Sequence, residues 1–514
     1  MKVRNLLSVL VVASVAVLFL GSCKNRDGTV SQTTGWKYND KDYGGFMVVE
    51  GYHQETAPGL VFIEGGTFIM GRTEQDVMHD WNASPRRVTV SSYYIDETET
   101  SNVGYREYLY WLRRVLVSFR QVYVDALPDT LVWRSPLGYN EPFVENYFRH
   151  PAYNNYPVVG VSWRQVVDFA QWRSNRVNEL MLHKKGILKM DVEGQHDKEN
   201  FDTDAYLLGQ YNLGEHKGLP NLKPGADGEQ SRHVTLEDGI MYPKYRLPTE
   251  AEWEFAAYGL LGNTVEETVA ERKVYPWNGH NVRNSDTKDI GQFMGNFVRG
   301  KGDFMGTAGD LNDRGDITRP VDSYWPNDYG LYCMAGNVNE WVLDVYRPLS
   351  FEDVDEFRPF RGNIFQTYVM DENSDPNGGP VVAGKDSLGR IRRRNITDEE
   401  AAGRPNYDRA YNINYKDGDI ESTIQYRDPG NITEEESTGN MYYQGIDKGN
   451  EKNVGMVTLI NDHSRVYKGG GWKDRAYWLS PGARRFLDED QSASDIGFRL
   501  AMDAVGEQAE VDRQ

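Results

Sequence analysis

In "YRLPTEAEWEFAAYG", Tyr245–Gly259, a polar start, an apolar middle and a glycine stop fall at helix spacing. Thr249 and Glu252 stand as a capping-box pair, each side chain placed to satisfy the other residue's free amide, and Gly259 ends the run. A short helix with Trp253 in the core is predicted. "VSWRQVVDFAQWR" repeats the device with Ser162 and Gln165, followed on one side by Val166, Phe169, Ala170 and Trp172 or Arg173. "VGYREYLYWLRRVLVSFR", Val103–Arg120, places Tyr105, Tyr108, Leu109, Leu112, Val115, Leu116 and Phe119 three or four apart, as an amphipathic helix does.

Strand signals lie before these helices. "GLVFIEGGTFIMG", Gly59–Gly71, crowds apolar residues around Gly65-Gly66, and a hairpin is expected there. "RRVTVSSYYIDETETSN" alternates β-formers at Val88, Val90, Tyr93 and Ile95, the pattern of a half-buried strand. Gly65, Gly66 and Gly336 are read as turn glycines with unusual backbone angles. Trp163, Trp253 and Trp341 are read as core, and Arg246, Glu250, Glu254 and Arg499 as internal ion pairs or caps.

The chain opens with Lys2 and Arg4, an uncharged run from Leu6 to Leu20, then Gly21, Ser22 and Cys23. That order is an export signal over residues 1–22. Leu20-Gly21-Ser22-Cys23 resembles a lipobox, so Cys23 is the expected lipidation site, and several acyl chains on one residue give stable attachment. Residues 23–56 then form a lipidated tether. Surface-exposed lipoproteins of the bacterial group that this chain resembles carry acidic clusters after the cysteine. Lys24, Asn25, Arg26 and Asp27 do not form one, which implies an outer-membrane lipoprotein facing the periplasm.

With 57 basic against 77 acidic residues, net −20, a general nucleic-acid surface is disfavoured. Once Cys23 is lipidated only Cys333 remains, so no internal disulfide is expected, and 12 Trp, 32 Tyr and 19 Phe must supply the core. One domain over 57–505 is expected, with polar insertions at about 182–242 and 347–452 and a tail at 506–514. The second insertion carries "RIRRR", Arg390–Arg394, and an acidic run at Asp398–Glu400. The basic run is read first as a solvated loop, and otherwise as a grip on an acidic partner or an anionic envelope polymer.

Eight segments, "FIEGGTFIMG", "ETETSNVGYREYL", "YPVVGVSWRQVVDFAQW", "YRLPTEAEWEFAAYG", "YPWNG", "GLYCMAGNVNEWVLD", "RVYKGGGWKD" and "DIGFRLAM", occur in a fixed order between Leu60 and Asp503. In this order they resemble the formylglycine-generating-enzyme (sulfatase-modifying factor) family. The resemblance implies an α+β fold related to the C-type lectin-like fold, rich in irregular structure. Aerobic members oxidise with copper on two cysteines after the "RVxxGG" segment, since Cu(I) prefers soft sulfur. The matching positions here are Asp474 and Leu479, a degenerate site, so catalysis of that kind is not expected. Iron-dependent members need two histidines and a carboxylate, and none of the nine histidines here pairs at helical spacing. Some members hold structural calcium through oxygen ligands. Asn296 and Asp313 match one such position. At the other, Cys333 replaces an asparagine beside Gly336, Val338 and Glu340.

Lipobox, length and insertions together resemble the gliding-motility lipoprotein K family (GldK/PorK type) of the type IX secretion system. That implies a non-catalytic ring subunit, self-associating and bound to a periplasmic N-type protein (GldN/PorN type), and connected to inner-membrane motor proteins. No cofactor is required on this reading beyond structural calcium. A metal-dependent oxidase of the superfamily and a lectin-like glycan- or peptidoglycan-binding lipoprotein are the alternatives, and a related J-type gliding lipoprotein shares the same core.

Overall fold

The computed structural model describes residues 30–49, 51–72, 82–136, 138–222, 231–263, 273–277, 280–298, 315–347, 360, 362, 365–371, 381–397, 399–400, 460 and 463–506. Cys23 and Asp313 lie outside the described residues, as does Asp398. Among the described residues, no helix is long and apolar enough to cross a membrane.

Strands β1 (Leu60–Ile63), β2 (Gly66–Met70), β3 (Arg86–Val90) and β4 (Tyr93–Asp96) come first. Helices α1 (Asn102–Val115), α2 (Arg120–Asp125), α3 (Glu141–Asn146) and α4 (Trp163–Lys184) follow. The first insertion adds β5 (Leu188–Lys189), α5 (Thr203–Leu207), β6 (Glu215–His216), β7 (Leu219–Pro220) and β8 (Ser231–Arg232). Next come β9 (Tyr245–Arg246), α6 (Glu250–Tyr258) and β10 (Asn339–Val345), then β11 (Gln366–Tyr368), β12 (Met370–Asp371), β13 (Val381–Val382) and β14 (Arg393–Asn395). The chain closes with β15 (Ser464–Lys468), β16 (Arg485–Asp488), β17 (Ile496–Gly497) and β18 (Ala501–Asp503).

Two four-stranded sheets organise the body, in the orders β1-β4-β18-β9 and β16-β15-β10-β17. Only β10 and β17 run parallel among the pairings within them. The last strands thus return to both sheets across the second insertion. The β10 burial pattern is nearly continuous, because this strand is covered on both faces.

The expected hairpin across Gly65-Gly66 does not form. β1 pairs with β4, and β2 pairs with β3. The chain instead passes over the bend between β3 and β4, where a Cβ on Gly65 would lie 2.4 Å from the Val90 carbonyl oxygen. Gly65 N donates to Ser92 Oγ at 3.0 Å. Close approach, not a positive φ, requires this glycine; Gly336 by contrast does have φ +83°. The alternation read over 88–95 divides between two sheets, and all four residues of β4 are buried.

The helix readings hold, with one break. Ser162 and Thr249 each complete a capping box, and Gly259 takes φ +55°. The periodic run from Val103 divides at Leu116 into α1 and α2, with Tyr105, Tyr108, Leu109, Leu112, Val115 and Leu116 buried. Tyr105 stacks on Phe169 of α4, Tyr108 meets Phe169 edge-on, and Phe498 meets both Tyr105 and Phe169 edge-on.

The polar insertions carry more order than their composition suggests. Phe201, Tyr206, Tyr211, Leu188 and Val234 form a small core of the first insertion. The described part of the second packs onto it: Asn200 Nδ2 donates to the Leu388 carbonyl at 2.6 Å, and Arg393 pairs with Asp204 at 2.7 Å. Arg394 of the basic run is tied to Glu400 of the acidic one.

Candidate functional site

The degenerate site is built where β10, β15 and β16 lie side by side. Register places Glu340 opposite Lys468, Trp341 opposite Tyr467, and Tyr467 opposite Arg485. Ser464, Val466 and Lys468 share one inward face by the two-residue period of a strand, and all three are buried. An inward lysine needs acids. α6 supplies Glu250 and Glu254, four apart on one face, at 3.1 and 2.7 Å from Lys468 Nζ. Arg484 grips Glu250 through two nitrogens at 2.7 and 3.0 Å. Burial raises the Glu250 carboxyl, but Arg484 and Lys468 outweigh it and hold it down to about 2. Glu250 and Glu254 thus face Lys468 and Arg484 inside the core, an arrangement that is costly to break by halves.

The loop after β15 depends on its glycines. Gly469 and Gly470 have φ of +100° and +69°, and a Cβ on Gly470 would sit 2.9 Å from the Trp478 backbone. This turn brings Asp474 back under β10. Its Oδ2 accepts from Gly471 N at 2.8 Å, Asn339 Nδ2 at 3.0 Å and Arg485 Nη2 at 2.6 Å, while Oδ1 accepts from Arg485 Nη1 at 2.7 Å. Burial alone would raise this carboxyl, yet the Arg485 pair and the other donors hold it below the usual carboxylate range. Arg485 is also bonded to Asn339 Oδ1 and lies 4.4 Å from the Trp478 ring. Leu479 is fully buried, in a cluster with Val274, Tyr275, Phe293, Phe297 and Ala335. The loop thus presents a carboxylate closed into a bidentate ion pair and an alkyl side chain inside the core. Neither offers a soft donor to a metal.

Cys333 has φ +52° and is buried, its Sγ directed at the Val321 carbonyl at 3.4 Å. Burial, followed by the neighbouring Glu99, pushes its thiol well above its ordinary value, so it stays neutral and unreactive. His216 and His233 do meet, ring centroids 5.5 Å apart, but within the aromatic core of the first insertion. Among the described residues, no three His, Cys, Asp or Glu side chains gather as a metal set.

Of the oxygen ligands expected for calcium, Asn296 is buried, with Nδ2 donating to the Ile317 carbonyl at 2.7 Å. Its Oδ1 is buried with no hydrogen-bond partner among the described residues, a state that a hard cation would relieve. At the second position both Glu340 oxygens are taken, each at 2.7 Å from Arg499, with Trp253 Nε1 also at 2.7 Å. A guanidinium occupies the role a cation would have there. The ion pairs read for Arg246 and Arg499 are present: Arg246 holds Glu252, and Arg499 holds Glu340. Trp253 and Trp341 are core, while Trp163 is half-buried under the Arg465 guanidinium at 3.9 Å.

Sequence reasoning missed Asn339 as a partner of Asp474, and Lys468 as the centre of the ion network. The signal for Lys468 was present: a lysine in phase with Val466 on a buried strand, and Glu250 and Glu254 on one face of a capped helix.

The fold and this loop define the formylglycine-generating-enzyme type of domain. Residues 45–389 match the model of the sulfatase-modifying factor enzyme 1-like domain, and the chain belongs to that family. It is 28% identical over 318 residues to the formylglycine-generating enzyme of Mus musculus, covering 59% of this chain and 66% of that one. The Bos taurus enzyme is 26% identical, covering 55% and 57%. The inactive Cα-formylglycine-generating enzyme 2 of Mus musculus is 27% identical, covering 57% and 70%. The match spans less than two thirds of the length of the two enzymes, and the family contains both active and inactive members.

Proposed function

We propose that this chain is a non-catalytic member of the family, a lipid-anchored subunit of the type IX secretion and gliding machinery on the periplasmic face of the outer membrane. The observation that carries the non-catalytic reading is the closed Asp474–Arg485–Asn339 clamp beside a buried Leu479, two positions that the motif resemblance matches to the family's thiols. The anchor reading rests on the lipobox ending at Cys23. Self-association in a ring, the N-type periplasmic partner and the inner-membrane motor contacts follow from the resemblance to lipoprotein K.

Structural calcium at the first oxygen site is part of the proposal through the buried Asn296 Oδ1; the other ligand that the resemblance implies, Asp313, lies outside the described residues. The experiment that tests the proposal is Cys23→Ala in the native cell. The variant is expected to leave the membrane fraction and to abolish assembly and secretion. Normal secretion by an anchorless chain would overturn the proposal.

A further inference from the structure

Within the stretch read as a tether, residues 23–56, the chain folds on itself from Val30 onward. Ser31 N donates to the Trp36 carbonyl at 2.8 Å and Val30 bridges Lys37, which closes a first turn. Asn39 closes a second: its N donates to the Phe46 carbonyl at 2.8 Å, and its side chain exchanges two bonds of 2.9 Å with the Val48 backbone. The segment is also tied to the body. Arg232 of the first insertion donates to Met47 Sδ at 3.5 Å, and Gln54 is bonded to Asp503 and Val505.

These turns do not hide their aromatic residues. Trp36 meets Tyr43 edge-on at 6.3 Å, and Tyr38 meets Phe46 at 5.6 Å. Trp36, Tyr43, Phe46 and Val49 nevertheless stay 58%, 43%, 65% and 48% exposed. Large apolar side chains crowded together in water mark a contact surface rather than a core.

Chain length says what covers them. On the anchor reading of Cys23, on which this inference rests, acyl chains hold residue 23 at the bilayer surface, and Val30 is seven residues on. Seven residues span at most about 25 Å, so the turn that Val30 opens starts within that reach of the head groups. Trp and Tyr concentrate at membrane–water interfaces, where a ring is partly buried and its polar tip stays wet. Charge agrees. Residues 24–49 set Lys24, Arg26, Lys37 and Lys41 against Asp27, Asp40 and Asp42, on a chain of net −20. This segment therefore approaches anionic lipid without the repulsion that the whole chain feels.

We propose that the turns at 36–46 lie in the head-group zone of the membrane that holds the anchor, with Trp36, Tyr43 and Phe46 as a second point of attachment. Acyl chains alone limit the distance of the body from the bilayer. A second contact, made by a segment bonded to Arg232, Asp503 and Val505, also sets its orientation.

The test uses the full lipidated chain in vesicles of phosphatidylethanolamine and phosphatidylglycerol, part of the lipid being brominated close to the head group. Flotation is read first: a chain that stays out of the vesicle band contradicts the anchor, and this inference with it. In chains that float, brominated lipid is expected to quench tryptophan emission by up to the share of one residue among 12, and Trp36→Phe is expected to abolish that loss. A nitroxide on Gln32→Cys, in the same turn as Trp36 and distinct from the buried Cys333, leaves every aromatic in place. It is expected to collide severalfold less often with a water-soluble nickel chelate than a nitroxide on Tyr139→Cys, a body position 85% exposed. Equal quenching with and without Trp36, or equal access of the chelate to both labels, would overturn the inference and leave the anchor standing. Shielding of Trp36 from acrylamide in a purified protein assembly but not in vesicles would overturn it as well, assigning the patch to a protein partner.

Discussion

If the loop after β15 is a structural clamp, cutting it should cost stability in a coupled way. Asp474 and Arg485 keep only 12% and 19% side-chain exposure and meet at 2.6 Å. Removing one member of a buried ion pair costs about 3–5 kcal/mol, because the survivor stays desolvated and unpaired. The remaining exposure favours the lower end, so Asp474→Ala is expected to lose about 3 kcal/mol. Arg485→Leu should lose less, about 2 kcal/mol, since Asp474 retains its bonds from Gly471 N and Asn339. The double variant leaves no uncompensated charge and should cost about 2 kcal/mol less than the sum of the singles, within the range seen for residues in contact. Urea unfolding followed by tryptophan fluorescence reads all four chains. Single variants within about 0.5 kcal/mol of wild type, or strictly additive losses, would refute the clamp.

Other consequences are open to the same assay. Burial raises the Glu489 carboxyl, but hydrogen bonds from Arg164 and His463 and the Arg465 charge outweigh it and bring it down to about 2. A folded value below the unfolded one gives stability that is full above about pH 4.3 and lost as pH falls toward 2. The deficit of Glu489→Gln against wild type should therefore be largest above pH 5 and vanish near pH 2. Glu99 runs the opposite way: burial and then Glu340 raise it well above its ordinary value. Its contribution is full below about pH 4.3 and declines as pH rises, so Glu99→Gln should remove a downward slope of stability that sets in above about pH 4.3. Gly470→Ala, which forces a Cβ against the Trp478 backbone at φ +69°, should cost about 2 kcal/mol, measured by the same urea transition.

Local signals were the most legible part of this chain. Ser162 with Gln165 and Thr249 with Glu252 determine helix starts through neighbours three residues away, so no distant information is needed. The strands were harder. Gly65-Gly66 has the composition of a hairpin turn, but β1 pairs with β4 and β2 with β3 rather than with each other, and a non-local contact with Ser92 decides the path. The insertions were read as polar decoration because their apolar residues are few and aromatic. Phe201, Tyr206 and Tyr211 nevertheless form a small core together with Ile187, Leu188, Val234 and Met241, joined by Leu182 of α4. At the site, Asp474 and Leu479 could be placed by motif, whereas Arg485 and Asn339 reach Asp474 only through the register of three strands.

The central claim is that a family core without its oxidative chemistry serves here as an assembled, membrane-anchored subunit. Affinity purification of the tagged full-length chain from native membranes, followed by mass measurement of the intact particle, tests it most directly. The account predicts a large complex with many copies of this chain and an N-type periplasmic protein. Recovery of a lone monomer, free of that partner under conditions that preserve other envelope complexes, would contradict it.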